Sequence, residues 1–463
     1  MKINPAHNEL LGKLSALLGK DLHCGGDIDP SQCYDWSDER GGAPLALALP
    51  RDTKMVSEIL KLCHFHHVAV VPQGGLTGLA GGAVSITDCV LLSLRNMNRI
   101  ETVNTKAGTM IVEAGAILQT IQETAKEAGM NFPLDLGARG SCQIGGNIST
   151  NAGGNRVIRY GMTRDLVLGL EVVLADGTIL PMMNEMPKNN AAMDMKHLFI
   201  GSEGTMGVVT RAVLKLHPGV AGANTAVVAF ESFDNALKLL KYAQNRLSGR
   251  LTAFEAMWSD YYQAASKHVR PPLQGDYPLF VLLDMQGAQP EDDAELFQSV
   301  LEHALEEGWI VDAAIAQSHR EVEEFWLIRD AVGAMMEDRV PAISFDVSVP
   351  MASIGDAVDT IRTTLQQKYP DIITRFFGHV GDCNFHIDVK NYTDYDPTGL
   401  EVERTTYDIV RSYQGSVSAE HGIGLHKKPW LHYSRSAAEL HVLKSLKAAL
   451  DPHNILNPGK VID

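Results

Sequence analysis

The sequence predicts an α+β protein of two domains, in which a glycine-rich N-terminal domain precedes a domain of antiparallel sheet covered by helices. Strand-like and helix-like patterns alternate along the chain. Glycine is dense before Pro218 and thinner after it, and 463 residues exceed the usual size of one domain. We place the first domain at 1–218, the second at 219–410, and a C-terminal segment that returns to the first domain at 411–463.

The composition is that of a globular, acidic protein with free thiols. Hydrophobic residues make up 45% and charged residues 21%, which excludes a disordered or collagen-like chain. The 40 basic and 56 acidic side chains give a net charge of −16. Nucleic acid is therefore not an expected partner, and an anionic substrate needs a local positive group. Six cysteines without a CxxC pair indicate reduced thiols rather than disulfides.

No targeting or membrane segment is expected from the sequence. The first residues lack the basic start and apolar run of a signal peptide. The longest apolar runs, at 43–50 and 279–283, have the length of a strand and not of a transmembrane helix. We therefore expect a cytoplasmic protein, with peripheral attachment to a membrane as the alternative.

In the first domain, the spacing of apolar residues predicts most elements. Leucines recur at helical spacing in 7–18, whereas 43–50 alternates as a strand does. Residues 133–166 are dense in Gly, Asn, Ser and Thr and lack apolar periodicity, which predicts a long irregular functional segment. The other predicted elements are helices at 52–67 and 117–129 and strands at 67–71, 90–94, 110–113, 167–174 and 206–216.

In the second domain, longer helix and strand patterns alternate, which is typical of antiparallel strands with helices laid on one face. The predicted strands are 225–230, 251–256, 279–285, 310–315, 342–349 and 373–377. The predicted helices are 232–247, 290–307, 318–338, 351–368 and 396–413.

Three glycine-rich segments, at 71–82, 141–154 and 201–207, lie near the ends of predicted strands. Glycine lacks a Cβ atom, so its backbone can turn sharply and bring several N–H groups close to an anion. The first segment is neither a GxxxxGK[ST] phosphate loop nor a GxGxxG turn that opens a helix. Taken alone, it is equally typical of a surface loop. Three such segments in one domain favour one extended ligand, and the shape of an adenine dinucleotide fits.

These motifs resemble the flavin-binding domain of the vanillyl-alcohol oxidase superfamily. The resemblance lies in Pro72-x-Gly-Gly-x-Thr-Gly78, Ile144-Gly-Gly-Asn-x-x-x-Asn-Ala-Gly-Gly154 with Arg159-Tyr-Gly161, and Leu198-Phe-Ile-Gly-Ser-Glu-Gly-Thr205. Within that superfamily the sequence is similar to FAD-linked D-2-hydroxyacid dehydrogenases, which oxidise D-2-hydroxyglutarate, D-lactate or glycolate. The resemblance extends from about residue 30 to the C-terminus.

The resemblance implies an FAD cofactor held without a covalent bond, because residues 71–82 contain neither histidine nor cysteine. The first glycine segment would bind the pyrophosphate through backbone amides, the second would line the flavin and ribityl chain, and the third would lie on the adenosine side. The implied FAD contacts are Pro72, Gly74, Gly75, Thr77, Gly78, Pro133, Asp135, Ser141, Gly145, Gly146, Thr150, Asn151, Gly153, Gly154, Tyr160, Gly161, Glu203, Gly204, Val208 and Asn457.

A second group of residues has the composition of a metal site. His379 and His386 are separated by a Gly-Asp turn, which suits two ligands on adjacent backbone segments. Glu420 and His421 are neighbours in a glycine-rich segment. Two imidazoles and a carboxylate are a common set for Zn²⁺, with Mn²⁺ as the alternative. The resemblance assigns His379, His386 and Glu420 as ligands and His421 as the catalytic base. A single histidine is more often a core or surface residue than a ligand.

An acidic protein that binds a hydroxy acid needs a positive anchor for its carboxylate. Arg329, near the end of a predicted helix, matches the family position for that role and can bind a carboxylate through two nitrogens. The alternative is that Arg329 pairs with Glu323 or Asp330 on an exposed helix face.

The sequence departs from the D-2-hydroxyglutarate enzymes at three substrate positions. Ser344 replaces a lysine, Gly333 a threonine, and Asp388 an asparagine. A lost cation and an added anion disfavour a second substrate carboxylate, since an unpaired buried charge costs several kcal/mol. We therefore expect a 2-hydroxy acid with a neutral far end, such as lactate, a larger aliphatic hydroxy acid or a sugar acid.

Two other classes of function remain open. One is a metal-independent FAD oxidase or C–C bond-forming relative that shares only the FAD domain. The other is a non-enzymatic FAD-carrying subunit, which an intact Glu420-His421 pair disfavours. The sequence shows no NAD fingerprint and no iron–sulfur pattern, so electrons must pass to a partner. The family expectation is an electron-transfer flavoprotein or a quinone, and a homodimer is a possible assembly.

Overall fold

The computed structural model describes residues 5–37, 39–335 and 341–462. These residues form two compact units. One unit holds the described residues up to Gly154, then Gly161–Pro218, and those from Glu420 onward. The other holds Asn155–Tyr160 and Gly219–Ala419, so it is inserted into the chain of the first.

Residues 411–419, which the sequence assigns to the C-terminal segment, belong to the second unit. The reason is a pair of backbone hydrogen bonds: the Ser416 N–H donates to the Ser348 carbonyl at 2.8 Å, and the Ser348 N–H donates to the Ser416 carbonyl at 3.2 Å. The chain therefore returns to the first unit at Glu420.

Helices of both units alternate with strands along the described residues. In chain order they are α1 (Pro5–Leu18), α2 (Thr53–His66), α3 (Leu118–Glu127), α4 (Ile144–Thr150), α5 (Val157–Tyr160), α6 (Phe233–Arg246), α7 (Ser259–Ala265), α8 (Pro290–Glu306), α9 (His319–Arg329), α10 (Val332–Met335), α11 (Ile354–Lys368), α12 (Leu400–Ser412), α13 (Leu431–Ser434) and α14 (Ala437–Leu450). None of these helices is both long and apolar enough to span a bilayer.

The strands of the same residues follow in the same order. They are β1 (Leu22–Cys24), β2 (Ala46–Ala48), β3 (Val70–Gln73), β4 (Val90–Ser93), β5 (Ile100–Asn104), β6 (Thr109–Glu113), β7 (Met130–Asn131), β8 (Val167–Val173), β9 (Ile179–Met182), β10 (Val208–Lys215), β11 (His217–Pro218), β12 (Gly222–Phe230), β13 (Leu251–Trp258), β14 (Leu279–Gly287), β15 (Asp312–Ile315), β16 (Ala342–Ser348), β17 (Ile373–Gly378) and β18 (Asn384–Lys390).

The first unit contains a small mixed sheet and a larger antiparallel sheet. The mixed sheet has the order β1-β2-β4-β3, and its β2–β4 and β4–β3 pairs are parallel. The β2 to β3 crossover is α2, which begins where the Asp52 carboxylate accepts the Met55 N–H at 2.8 Å. It ends at His67, whose φ is 52°. The antiparallel sheet has the order β5-β6-β10-β8-β9.

The irregular segment predicted at 133–166 contains a helix, α4, so that prediction was wrong in part. The helix holds Gly145 and Gly146, and glycine is a poor helix former, which is why the pattern gives no helical signal. Tertiary packing stabilises it instead, since the N–H of Gly145 donates to the Ala114 carbonyl at 2.7 Å.

The second unit is built on one antiparallel seven-stranded sheet with the order β15-β12-β14-β13-β17-β18-β16. Side chains of α7 and α9, among them Tyr261 and Ile328, pack with Val227 and Phe280 on one face. Successive residues of a strand point to opposite faces of the sheet. Val228, which follows Val227 on β12, is also buried, so the opposite face of the sheet is covered as well. The prediction of an antiparallel sheet with helices is confirmed, but the prediction that helices cover only one face of the sheet was wrong.

Two sequence predictions in the second unit differ from the structure. Strand β18 was not predicted, because its residues were interpreted as a ligand loop, yet all seven of its residues are buried. The helix predicted at 318–338 ends at Arg329 and a separate turn of helix follows at Val332–Met335, while 336–338 lie outside the described residues.

Candidate functional site

The three glycine-rich segments of the first unit line one cavity of about 380 Å³. The second segment enters it through α4, whereas the other two are loops beside β3 and β10. Twelve of the residues predicted to contact FAD lie in its wall: Pro72, Gly74, Gly75, Thr77, Gly78, Gly145, Gly146, Thr150, Gly153, Glu203, Gly204 and Val208.

Glycine lets the segments approach each other at the cavity wall. A Cβ atom on Gly75 would lie 2.1 Å from the Ser141 carbonyl oxygen, and one on Gly145 would lie 2.7 Å from the Ala114 Cβ. By contrast, a Cβ on Gly146 would have no protein atom within 4 Å. Gly75 and Gly145 are therefore required by backbone packing, whereas Gly146 leaves room in the cavity.

The other eight predicted FAD residues lie outside the cavity wall, and some of them contact the segments that form it. The Asp135 carbonyl lies 2.1 Å from the Cβ position of Gly154, and the Asn151 side chain accepts the Arg164 N–H at 3.0 Å. Pro133, Ser141, Gly154 and Gly161 belong to the same unit, and Tyr160 belongs to the second unit, where it contacts Arg159.

Asn457 ties the C-terminal segment to the glycine segments. Its side-chain amide donates to the Gly82 carbonyl at 3.0 Å and to the Glu203 carbonyl at 2.8 Å. Asn457 therefore holds residues of the cavity wall in place but does not itself line the cavity. The sequence pattern does not distinguish the two roles.

Glu420 and His421 lie in the wall of the same cavity, although they are far from the glycine segments in sequence. The Glu420 carboxylate accepts the Gly154 N–H at 2.8 Å. The segment after His421 is fixed by Glu203, whose two carboxylate oxygens accept the Ile423 N–H at 2.7 Å and the Gly424 N–H at 2.8 Å. Burial raises the pKa of Glu203, and these two hydrogen bonds oppose that rise.

Cys142 also lines the cavity and lies within the second glycine-rich segment. Burial raises its pKa, so little thiolate forms at neutral pH. This is consistent with FAD that is held without a covalent bond.

In the second unit, His379 and His386 lie together as the sequence predicts. Strands β17 and β18 are antiparallel neighbours joined by a turn at Val380–Asp382, and His386 pairs with Phe377 in the register. The two imidazole centroids are 5.5 Å apart. A ring nitrogen of His379 lies within 4.8 Å of a ring nitrogen of His386, and both residues are at most 9% exposed.

Arg329 is buried with Glu255, and not paired with Glu323 on an exposed helix face. Its Nε donates to Glu255 Oε2 at 2.8 Å, and one terminal nitrogen is 3.8 Å from Asp330. Glu255 also lies 2.9 Å from Nδ1 of His379. Burial alone would raise the pKa of Glu255, but His379 and Arg329 lower it to about 2.

Sequence analysis did not identify Glu255 as a functional residue. The available signal was a single carboxylate in the middle of the apolar strand β13, all of whose residues are buried. A charged side chain in such a strand requires a buried partner. The sequence does not reveal that the partners are Arg329 and His379.

Ser344 and Asp388 are opposite each other on β16 and β18. The Ser344 hydroxyl donates to Asp388 at 2.7 Å, and Asp388 is 3% exposed. Burial raises the pKa of Asp388, whereas Ser344 and the nearby charges of Arg375 and Lys390 lower it.

A further carboxylate that sequence analysis did not identify is Asp346, which is fully buried on β16. It accepts the Ala419 N–H at 3.1 Å and lies 4.0 Å from Nδ1 of His386. Each of the two histidines therefore has a buried carboxylate nearby.

Comparison with known proteins agrees with the glycine-lined cavity of the first unit. Residues 44–182 match the family described as FAD binding domain. Residues 221–461 match the family described as FAD linked oxidases, C-terminal domain. The solved structure of p-cresol methylhydroxylase with substrate bound shares the fold, with a TM-score of 0.79 and 16% identity, and covers 100% of this chain and 98% of that one.

Curated relatives match most of the chain. D-2-hydroxyglutarate dehydrogenase of Stutzerimonas stutzeri is 35% identical and covers 94% of this chain and 95% of its own. The mitochondrial enzyme of that name from Bos taurus is 36% identical, over 94% of this chain and 80% of its own. A mitochondrial protein of Schizosaccharomyces pombe, provisionally named a D-lactate dehydrogenase, is 37% identical over 92% of this chain and 84% of its own.

The fold and the cavity define a two-domain flavoprotein of the vanillyl-alcohol oxidase type. The chain belongs to the family of FAD-linked oxidases, and it is an FAD-dependent oxidoreductase. The resemblance to FAD-linked D-2-hydroxyacid dehydrogenases is confirmed. Two of the relatives are named as mitochondrial, so the cytoplasmic location stays a prediction.

Proposed function

We propose that this protein oxidises a D-2-hydroxy acid to the 2-oxo acid and passes the electrons to an external acceptor. One observation carries the proposal: His421 and Glu420 lie in the wall of the cavity that the three glycine segments line. Bound FAD supplies the hydride acceptor, its N5 atom. A base in the same wall is suited to remove the hydroxyl proton as the hydride leaves the adjacent carbon.

His421 is the group to which we assign proton removal. An imidazole, with an ordinary pKa near 6.5, is too weak to deprotonate a free alcohol. A bound divalent metal lowers the pKa of a hydroxyl by several units, as it does for water. We assign its ligands to His379, His386 and Glu420, which offer the nitrogen and oxygen donors that Zn²⁺ or Mn²⁺ takes.

The two histidines fit a metal because of the chemistry around them. The contact between Glu255 and His379 Nδ1 favours the ring form in which Nε2 keeps its lone pair. His379 and His386 lie close enough to bring two nitrogen donors together in a buried environment. The assignment of Glu420 as third ligand rests on the family resemblance, which also assigns its neighbour His421 as the base.

We assign the substrate carboxylate to Arg329. Its Nε donates to Glu255, and its terminal nitrogens lie 3.3 Å from His379 Nε2 and 3.8 Å from Asp330. In this proposal those terminal nitrogens turn from these contacts to the substrate carboxylate. Burial in the second unit supports the assignment, because an ion pair with a planar guanidinium is strongest away from water.

For the far end of the substrate we propose a neutral or hydroxylated group. The support is the buried Asp388 with its hydrogen-bond partner Ser344, since these two positions lack the asparagine and lysine of the D-2-hydroxyglutarate enzymes. The names of the relatives favour D-2-hydroxyglutarate as the second candidate. An electron-transfer flavoprotein or a quinone is the proposed acceptor.

The proposal is tested by anaerobic mixing of the FAD-loaded protein with D-lactate, D-2-hydroxyglutarate and their L-enantiomers. We expect loss of the oxidised flavin absorbance with a D-hydroxy acid, faster for D-lactate than for the dicarboxylate. For His421→Asn we expect the rate to fall by about 10²- to 10⁴-fold, with FAD content unchanged.

The control is His426→Asn, which alters an exposed histidine of the same segment. Flavin reduction by His421→Asn at the wild-type rate would contradict the role of the base. A faster reaction with D-2-hydroxyglutarate would reject the neutral far end. Turnover with oxygen that releases peroxide and resists chelators would favour a metal-independent oxidase.

A further inference from the structure

The second unit buries a glutamate at the point where two proposed active-site residues meet. Glu255 lies on β13, is 1% exposed, and contacts both Arg329 and His379. Arg329 comes from the end of α9, and His379 follows β17. One carboxylate therefore connects three elements that are distant in sequence.

The distances define which groups of the three side chains interact. Glu255 Oε2 accepts from Arg329 Nε at 2.8 Å, and Oε1 lies 2.9 Å from His379 Nδ1. The remaining imidazole nitrogen, Nε2, lies 3.3 Å from a terminal nitrogen of Arg329. Since arginine donates only, Nε2 is the acceptor, and Nδ1 carries the proton that Glu255 accepts.

We propose that Glu255 is a positioning residue that fixes His379 as a metal ligand and Arg329 as a carboxylate anchor. This inference rests on the proposed function, which supplies both of those roles. A carboxylate that accepts from one ring nitrogen fixes the orientation of the ring and makes the other nitrogen a stronger ligand. The same carboxylate orients the guanidinium through its Nε edge.

A purely structural role for Glu255 predicts a different result. A buried arginine needs a counter-charge, so Glu255 could serve only to neutralise Arg329. In that case its substitution would reduce stability but leave the metal affinity of the folded protein unchanged. Metal affinity therefore separates the two roles.

The test uses FAD-loaded protein stripped of metal with a chelator and then titrated with Zn²⁺ alone. The variants are Glu255→Gln, Glu255→Asp and His379→Ala, with wild type for reference. Glu255→Asp keeps the charge beside Arg329 but shortens the reach to His379. The Zn²⁺ titration can therefore be made with Glu255→Asp if Glu255→Gln does not fold. Bound FAD absorbance and far-UV circular dichroism report folding.

We expect both Glu255 variants to bind Zn²⁺ about 10- to 100-fold more weakly than wild type, and His379→Ala to bind it more weakly still. We also expect a higher KM for the hydroxy acid, because Arg329 loses its orientation. The matched control is Glu113→Gln: Glu113 is also buried and paired with an arginine, Arg99, but lies in the first unit. Its Zn²⁺ affinity should equal that of wild type.

Two outcomes overturn the inference in distinguishable ways. If wild type binds Zn²⁺ and folded Glu255 variants bind it equally well, Glu255 is only a counter-charge and the proposed function stands. If neither wild type nor any variant binds Zn²⁺ at the chelator-stripped site, the metal part of the proposed function fails, and this inference fails with it.

Discussion

At the scale of single residues, buried charges in the first unit hold the C-terminal segment in place. Lys460 is fully buried and donates to the Val84 carbonyl, and Lys447 donates to the Thr205 and Leu456 carbonyls at 2.8 Å each. Asn457 and Glu203 are in the same group of contacts. Charged side chains so deeply buried persist only where hydrogen bonds replace water, so they make the placement of this segment specific.

Lys460 gives a prediction about pH and stability. Burial lowers its pKa from 10.5 to about 8, so between about pH 8 and 10.5 the unfolded chain binds more protons than the folded chain. Stability from this group therefore rises with pH across that window, by up to about 3 kcal/mol at 1.36 kcal/mol per unit. Below pH 8 the cost of burying the charge is fully present.

The comparison is between wild type and Lys460→Met, which keeps the length of the side chain without its charge. We expect the difference between the two melting temperatures to change with pH in favour of wild type from pH 7.5 to pH 10. A difference independent of pH would mean that burial does not lower the pKa of Lys460, because the folded and unfolded chains would then bind the same number of protons at each pH. The control is Lys428→Met, which alters a half-buried lysine of the same C-terminal segment.

At the scale of elements, α4 shows how packing overrides local propensity. It holds adjacent glycines, which disfavour a helix by about 1 kcal/mol each relative to alanine. Its place is fixed by close approach of Gly145 to Ala114, which no larger residue permits. The same helix then presents Gly146 to the cavity.

These neighbouring glycines predict opposite effects of one substitution. Gly146→Ala adds a methyl group with no protein atom within 4 Å, so we expect unchanged or slightly higher stability of the apoprotein and weaker FAD binding. Gly145→Ala places a Cβ 2.7 Å from the Ala114 Cβ, so we expect a less stable apoprotein. Thermal unfolding of the apoproteins and FAD titration measure the two effects.

The pair of variants serves as its own control, since the changes are chemically identical and adjacent. FAD affinity of Gly146→Ala equal to wild type would show that the cofactor does not approach this turn of α4. A stable Gly145→Ala apoprotein would show that the backbone of α4 can move away from Ala114.

At the scale of the whole molecule, the net charge of −16 opposes the approach of an anionic substrate. Long-range repulsion between exposed charges is screened by salt, whereas the interactions of a buried cation such as Arg329, the proposed anchor, are screened much less. The overall charge and the local anchor should therefore respond differently to ionic strength.

We predict that kcat/KM for the hydroxy acid increases about two- to fivefold when the salt concentration rises from about 10 to 150 mM. The measurement is the steady-state rate with an artificial uncharged acceptor, with NaCl and KCl compared to exclude specific ion effects. A decrease in kcat/KM with salt would show that a positive local potential outweighs the acidic surface.

The sequence by itself determined the features that depend on neighbouring residues. Periodicity located α2, β4 and most other elements, and glycine spacing located the three cavity segments. The turn between His379 and His386 also follows from local chemistry, since Gly-Asp favours a tight connection. Each of these signals is formed by residues that are close together in the sequence, so it can be recognised without the tertiary structure.

Only the tertiary structure decided which distant charges share a buried environment. Glu255 joins Arg329 and His379 across 74 and 124 positions, and Glu420 meets Gly154 across 266. A carboxylate on a buried strand must find a partner, but many cations in the sequence satisfy that need equally. Which of them it meets depends on strand order and helix packing, which are properties of the folded chain and not of any local pattern.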